Sequence, residues 1–143
     1  MNKWLLLVYK IPREPSALRV GVWRKMKQLG AVLLHDAVWV LPASPRTEEQ
    51  FQWLAAEIVE SGGEATVCVS QVPTAKREAL TKQFTQQTDA AYKEILATLR
   101  RKGADRTALA RRYQQVLGQD YFHSKAGDKV RAALLKHPGA KTP

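Results

Sequence analysis

The densest positive charge in the chain lies in Arg100-Arg101-Lys102, followed by Arg106 and then Arg111-Arg112. Basic side chains gathered on both sides of a helix break can grip consecutive phosphates and release the counterions condensed on them. Such contacts hold a protein on a duplex without reading its sequence. Gln114, Gln115 and Arg112 carry groups suited to base edges. The competing assignment is a solvated helix end, because Arg and Lys also favour helix C-termini. A second group, Lys10, Arg13, Arg19 and Arg24, surrounds the connection after the first strand and the start of the first helix. Backbone N–H groups at a helix N-terminus, together with guanidinium groups, make an oxyanion site. Arg13, Ser16, Arg19 and Arg24 are therefore the candidate oxyanion-binding residues, against the plainer alternative of surface charge.

Little else in the sequence suggests chemistry. His35, His123 and His137 lack metal-ligand spacing, so no metal is expected. Cys68, the single cysteine, reads as a small buried hydrophobe in a strand. It cannot form an internal disulfide, which suits a reducing, cytoplasmic setting. No nucleophile–base pair, paired carboxylates or Gly-rich phosphate loop is present. Asp36 is the only carboxylate in its hairpin. We expect no catalytic residue, no cofactor and no enzymatic activity.

The elements that must position these residues follow from patterning. Trp4–Tyr9 is apolar on both faces, as in a central strand covered on both sides. Its apolar run is too short for a signal-peptide core of roughly 7–15 residues. No stretch approaches the ~20 apolar residues of a membrane span. Ser16 is a good N-cap for a helix reaching Leu29, with Leu18, Val22, Met26 and Leu29 on one face. Gly30 stops it. Ala31–Leu34 and Ala37–Leu41 read as a hairpin turning at His35-Asp36. Ala43–Arg46 reads as a loop, and Thr47-Glu-Glu-Gln50 as a capping box. Phe51, Leu54, Ala55 and Ile58 form the apolar stripe of the helix that follows. Gly62-Gly63 ends that helix, and Ala65–Val72 is a fourth strand. Trp4, Trp39 and Trp53 are expected in or near the core, with Trp23 off the main stripe of its helix.

The order βαββαβ predicts an α+β, ferredoxin-like core over residues 1–72, with an antiparallel four-stranded sheet and both helices on one face. Residues 73–137 read as a basic helical extension packed on that core in a single structural domain. Its first helix runs from Lys76 to about Arg101, with Leu80, Phe84, Ala91 and Ile95 on one stripe. Gly103 breaks it, Asp105 caps a second helix to Leu117, and Ser124 caps a third. Residues 138–143 read as a disordered tail. The chain of 143 residues carries a net charge of +10, divided unevenly. Residues 1–72 hold 8 Lys/Arg against 7 Asp/Glu, and residues 73–143 hold 15 against 6. A basic half favours polyanions, with nucleic acid first among them.

The block from Trp4-Leu-Leu-Leu-Val-Tyr-Lys-Ile-Pro-Arg to Trp23-Arg-Lys-Met-Lys-Gln-Leu-Gly30 resembles the N-terminal domain of the ChrB chromate-resistance regulators. So does the hairpin ending Ala37-Val-Trp-Val-Leu-Pro42, and Asp120-Tyr-Phe122 is similar to an Asp-aromatic-aromatic step in that family. The resemblance covers about residues 3–135. It implies a chromate-responsive transcriptional regulator of a chromate-resistance operon, with promoter DNA as partner and chromate or a related oxyanion as signal. It also implies that Arg13, Arg19 and Arg24 correspond to the family's Pro-Arg … Arg … Trp-Arg pattern. ChrB proteins usually continue into a second domain. The core also looks like that of PaaX repressors and of the small CRISPR spacer-acquisition subunit, whose first strand closes on a metal-binding Asp. Lys10 stands at that position here, which speaks against a divergent nuclease. Homodimerisation through the ferredoxin-like core is the expected assembly. The alternative functions are a small-oxyanion (chromate) binding module acting with a partner, or a divergent ferredoxin-like nuclease.

Overall fold

The computed structural model describes residues 3–14 and 16–136. Strand β1 (Lys3–Lys10) pairs antiparallel with β3 (Val38–Pro42) on one side and β4 (Glu64–Gln71) on the other, and β2 (Val32–His35) pairs with β3. The sheet order is β2-β3-β1-β4, the ferredoxin-like arrangement. β1 and β3 are central, and both bury residues on both faces. Leu5, Leu7, Trp39 and Leu41 are buried on one face, while Trp4 and Val40 are buried on the other. The run that lacks polar alternation is therefore a strand covered twice, as the sequence suggests. The hairpin is shifted by one residue from the expected register. His35 stays in β2, and a bulge lies between Leu33 and His35.

Helix α1 (Ser16–Leu29) buries Val22 and Met26. Its Trp23 ring meets Trp39 edge-on at 5.3 Å between centroids, so α1 lies over the face that carries Leu7 and Trp39. Helix α2 (Pro45–Glu60) lies beside α1, tied to it by an ion pair between Lys25 and Glu57. The apolar stripe Phe51, Leu54, Ala55 and Ile58 is buried as expected.

Two expectations for α2 need correction. Its N-cap is Ser44, not Thr47, so half of the supposed loop Ala43–Arg46, namely Pro45 and Arg46, is already helix. Pro45 at the first helical position has its φ preset and needs no N–H partner there. The Ser44 hydroxyl accepts from the Thr47 N–H at 3.1 Å, and Thr47 Oγ1 accepts from the Ser44 N–H at 2.9 Å. Thr47 thus closes the capping box from inside. Its buried hydroxyl also donates to the Pro42 carbonyl at 2.6 Å. Trp53 is 67% exposed rather than in the core, because it falls between the buried positions of the stripe.

The chain forms two compact units divided between Leu80 and Thr81, inside helix α3 (Thr74–Leu99). In the second unit, Tyr92 and Ile95 of α3 pack with Tyr113 and Val116 of α4 (Arg106–Leu117) and Val130 of α5 (Lys125–Leu135). Asp105 caps α4 by accepting from the Ala108 N–H at 3.0 Å, and Ser124 caps α5 through the Ala126 N–H at 3.2 Å. Between α3 and α4 the chain reverses through Gly103, whose φ of 78° is a left-handed conformation that suits glycine. A polar knot joins α3 to the start of α5. The Tyr92 hydroxyl donates to Asp120 at 2.9 Å, Asp120 accepts from the Ser124 N–H at 2.9 Å, and the Ser124 hydroxyl bonds Asp89. Burial, then the hydrogen bond to the Asp120 carboxylate, pushes the Tyr92 phenol well above its ordinary range. The tail from residue 138 and His137 lie outside the described residues.

Candidate functional site

In the first unit, the end of β1, the start of α1 and the β2–β3 hairpin border an open cavity of about 740 Å³. Three of the four candidate oxyanion residues, Arg13, Ser16 and Arg19, line it, and Lys10 joins them. Ser16, Arg19, Val20 and Trp23 follow helical spacing, so one stripe of α1 faces the cavity. Arg24 lies off that stripe, is exposed, and is not among the lining residues. Sequence reasoning misses the aromatic wall of Tyr9, Trp23 and Trp39. The Trp39 indole N–H donates to the Tyr9 hydroxyl at 3.2 Å, which fixes two of these rings together. Lys27 lies 5.5 Å from the Trp23 ring centroid. Asp36, at the hairpin turn, is the one carboxylate of the lining among the described residues. Lys10, Arg13, Arg19 and Asp36 make no ion pair among the described residues. The missed signal is Trp23 itself, an aromatic set off the buried stripe of its helix and one turn beyond Arg19.

In the second unit, Arg100, Arg101 and Lys102 are exposed on the turn after α3, and Arg111 and Arg112 are exposed on α4. None of these five cations makes an ion pair among the described residues. Arg112 reaches Gln115 at 3.5 Å, at the limit of a hydrogen bond. Arg106 is placed differently. Its Nη2 donates to the carbonyls of Ala133 at 2.9 Å, Leu134 at 3.1 Å and Lys136 at 2.9 Å. These are orphan carbonyls at the C-terminal end of α5, where a cation also meets the negative end of the helix dipole. The sixth candidate therefore closes a helix end. Arg111 borders a hollow of about 430 Å³ together with Arg131, a cation from α5 that the sequence cluster does not include.

No group of three His, Cys, Asp or Glu residues suited to a metal occurs among the described residues. Among the same residues, no helix is long and apolar enough to cross a membrane.

A family model described as the N-terminal part of protein ChrB matches residues 19–111. The chain belongs to the ChrB N-terminal family. Protein ChrB of Cupriavidus metallidurans is 34% identical over 76 residues, which are 53% of this chain and 24% of that protein. The chain thus matches about a quarter of the length of its ChrB relative. The ChrB family match runs from α1 into α4 and takes in Arg19, Arg24, Arg100, Arg101, Lys102, Arg106 and Arg111. Arg13, Ser16 and Arg112 fall outside it.

Proposed function

We propose that this ChrB-family chain is the DNA-binding part of a chromate-responsive transcriptional regulator of a chromate-resistance operon. Five exposed cations, Arg100, Arg101 and Lys102 on the turn after α3 and Arg111 and Arg112 on α4, none of them in an ion pair among the described residues, carry this conclusion. Cations without carboxylate partners are those that phosphates can neutralise at little cost in broken contacts. Membership of the ChrB family, one of chromate-resistance regulators, supports the operon assignment. The protein acts in the cytoplasm as a homodimer through its ferredoxin-like core. The edge strand β4 with exposed Val69, and Trp53 on α2, support a partner at that core. It binds and does not cleave, since Lys10 occupies the strand end where the related nucleases place a metal-binding Asp. A gel-shift titration on the promoter upstream of its own gene tests the conclusion. Affinity should fall steeply with salt, and failure to bind at low salt, or binding indifferent to salt, would sink it.

A second reading has its own observation. Lys10, Arg13, Ser16 and Arg19 share one cavity, so the chain is a small-oxyanion module that signals to a partner. Calorimetry with chromate and sulfate, on wild type and Arg19→Ala, tests this. Absence of heat with both ions removes it.

A further inference from the structure

A bare oxyanion leaves most of the first unit's cavity unused. A tetrahedral anion displaces on the order of two or three waters, at roughly 30 Å³ each. The cavity holds about 740 Å³, within the range of roughly 300–1,000 Å³ common to sites for small organic molecules. Its lining is graded along α1. The hydroxyl of Ser16 and the guanidinium of Arg19 stand at the N-terminal end of the stripe, with Arg13 just before the helix. The Trp23 ring stands one turn further on, beside Trp39. A ligand matched to this wall has an anionic head and a flat aromatic body. Asp36 adds a further requirement. An ionised carboxylate only accepts hydrogen bonds, and this one makes no ion pair with the cations of the same cavity. A ligand bearing ring N–H donors satisfies it.

We propose that this cavity binds a nucleoside phosphate as a free mononucleotide. The phosphate lies at Arg13, Ser16 and Arg19, the base against Trp23, and the base N–H donors face Asp36. This does not depend on DNA binding by the α3–α4 corner, and it replaces the bare oxyanion as occupant of this cavity.

Calorimetry on the whole chain with GMP, inorganic phosphate and sulfate is the test, using wild type, Arg19→Ala and Asp36→Asn. GMP should bind at least tenfold more tightly than phosphate. Arg19→Ala should weaken GMP at least tenfold. Asp36→Asn should weaken GMP while leaving phosphate unchanged, a pattern that misfolding would not produce. Phosphate or sulfate binding as tightly as GMP would return the cavity to the bare-oxyanion reading. A short single-stranded oligodeoxynucleotide that displaces GMP more effectively than GMP competes with itself would overturn the free-nucleotide assignment. Heat from none of the ligands would overturn the site altogether. A failed gel shift would leave all these outcomes unaffected, because the DNA contacts lie on other residues.

Discussion

Gly127 shows how tightly single residues can be held in the second unit. It is buried in α5, and a Cβ built there would lie 2.8 Å from Tyr92 Cζ. The aromatic ring is fixed by core packing and by its bond to Asp120, so it cannot easily yield. Gly127→Ala should therefore destabilise the protein by about 1–3 kcal/mol through overpacking, seen as a lower denaturant midpoint. Tyr92 gives a second test, by pH. Its folded pKa is raised, so the stabilisation is fully present below the ordinary phenol value of about 10. It is lost as pH rises through the folded value, because the unfolded chain gives up the proton first. Wild type should lose thermal stability above about pH 10 more steeply than Tyr92→Phe, a difference that melting curves at pH 8 and 11 would reveal. Neither contact is legible in the sequence. Tyr92 and Asp120 are 28 positions apart, and only the packing of α3 against the turn between α4 and α5 brings them together.

At the scale of elements, local signals were the readable ones. The caps Asp105 and Ser124 satisfy backbone donors two or three residues away, and they hold in the fold as their spacing suggests. The start of α2 illustrates the limit. Two patterns compete there, Thr47 with Gln50 and Ser44 with Thr47, and Pro45 at the first helical position decides for the earlier one. Ser44→Ala should cost about 1 kcal/mol, measured by chemical denaturation. Amphipathic period places Phe51, Leu54, Ala55 and Ile58 correctly, whereas the expectation of Trp53 in or near the core fails because its angular position lies off that stripe. The oxyanion cluster was partly legible, since Arg13, Ser16 and Arg19 follow one another along the chain. The aromatic half of the same cavity required Tyr9 and Trp39 to meet across 30 residues.

For the whole molecule, the uneven charge has two structural fates. Arg106 spends its guanidinium on the end of α5, whereas its neighbours at the corner remain open to solvent. Arg106→Ala should lower the melting temperature and leave the salt dependence of DNA binding little changed. Arg101→Ala should do the reverse, reducing the slope of log affinity against log salt by about 1 while the melting temperature holds. Paired melting curves and salt titrations separate the two residues, which sequence alone places in one cluster.

The two-unit division also sorts the chromophores. Trp4, Trp23, Trp39 and Trp53 are the chain's four tryptophans, and all lie before Leu80. Beyond Thr81 the aromatic rings are tyrosines and phenylalanines, among them Tyr92, Tyr113 and Tyr121. Indole emission therefore reports the unit that holds the cavity, and a change in it on adding a ligand or denaturant is a local optical signal from that half of the chain.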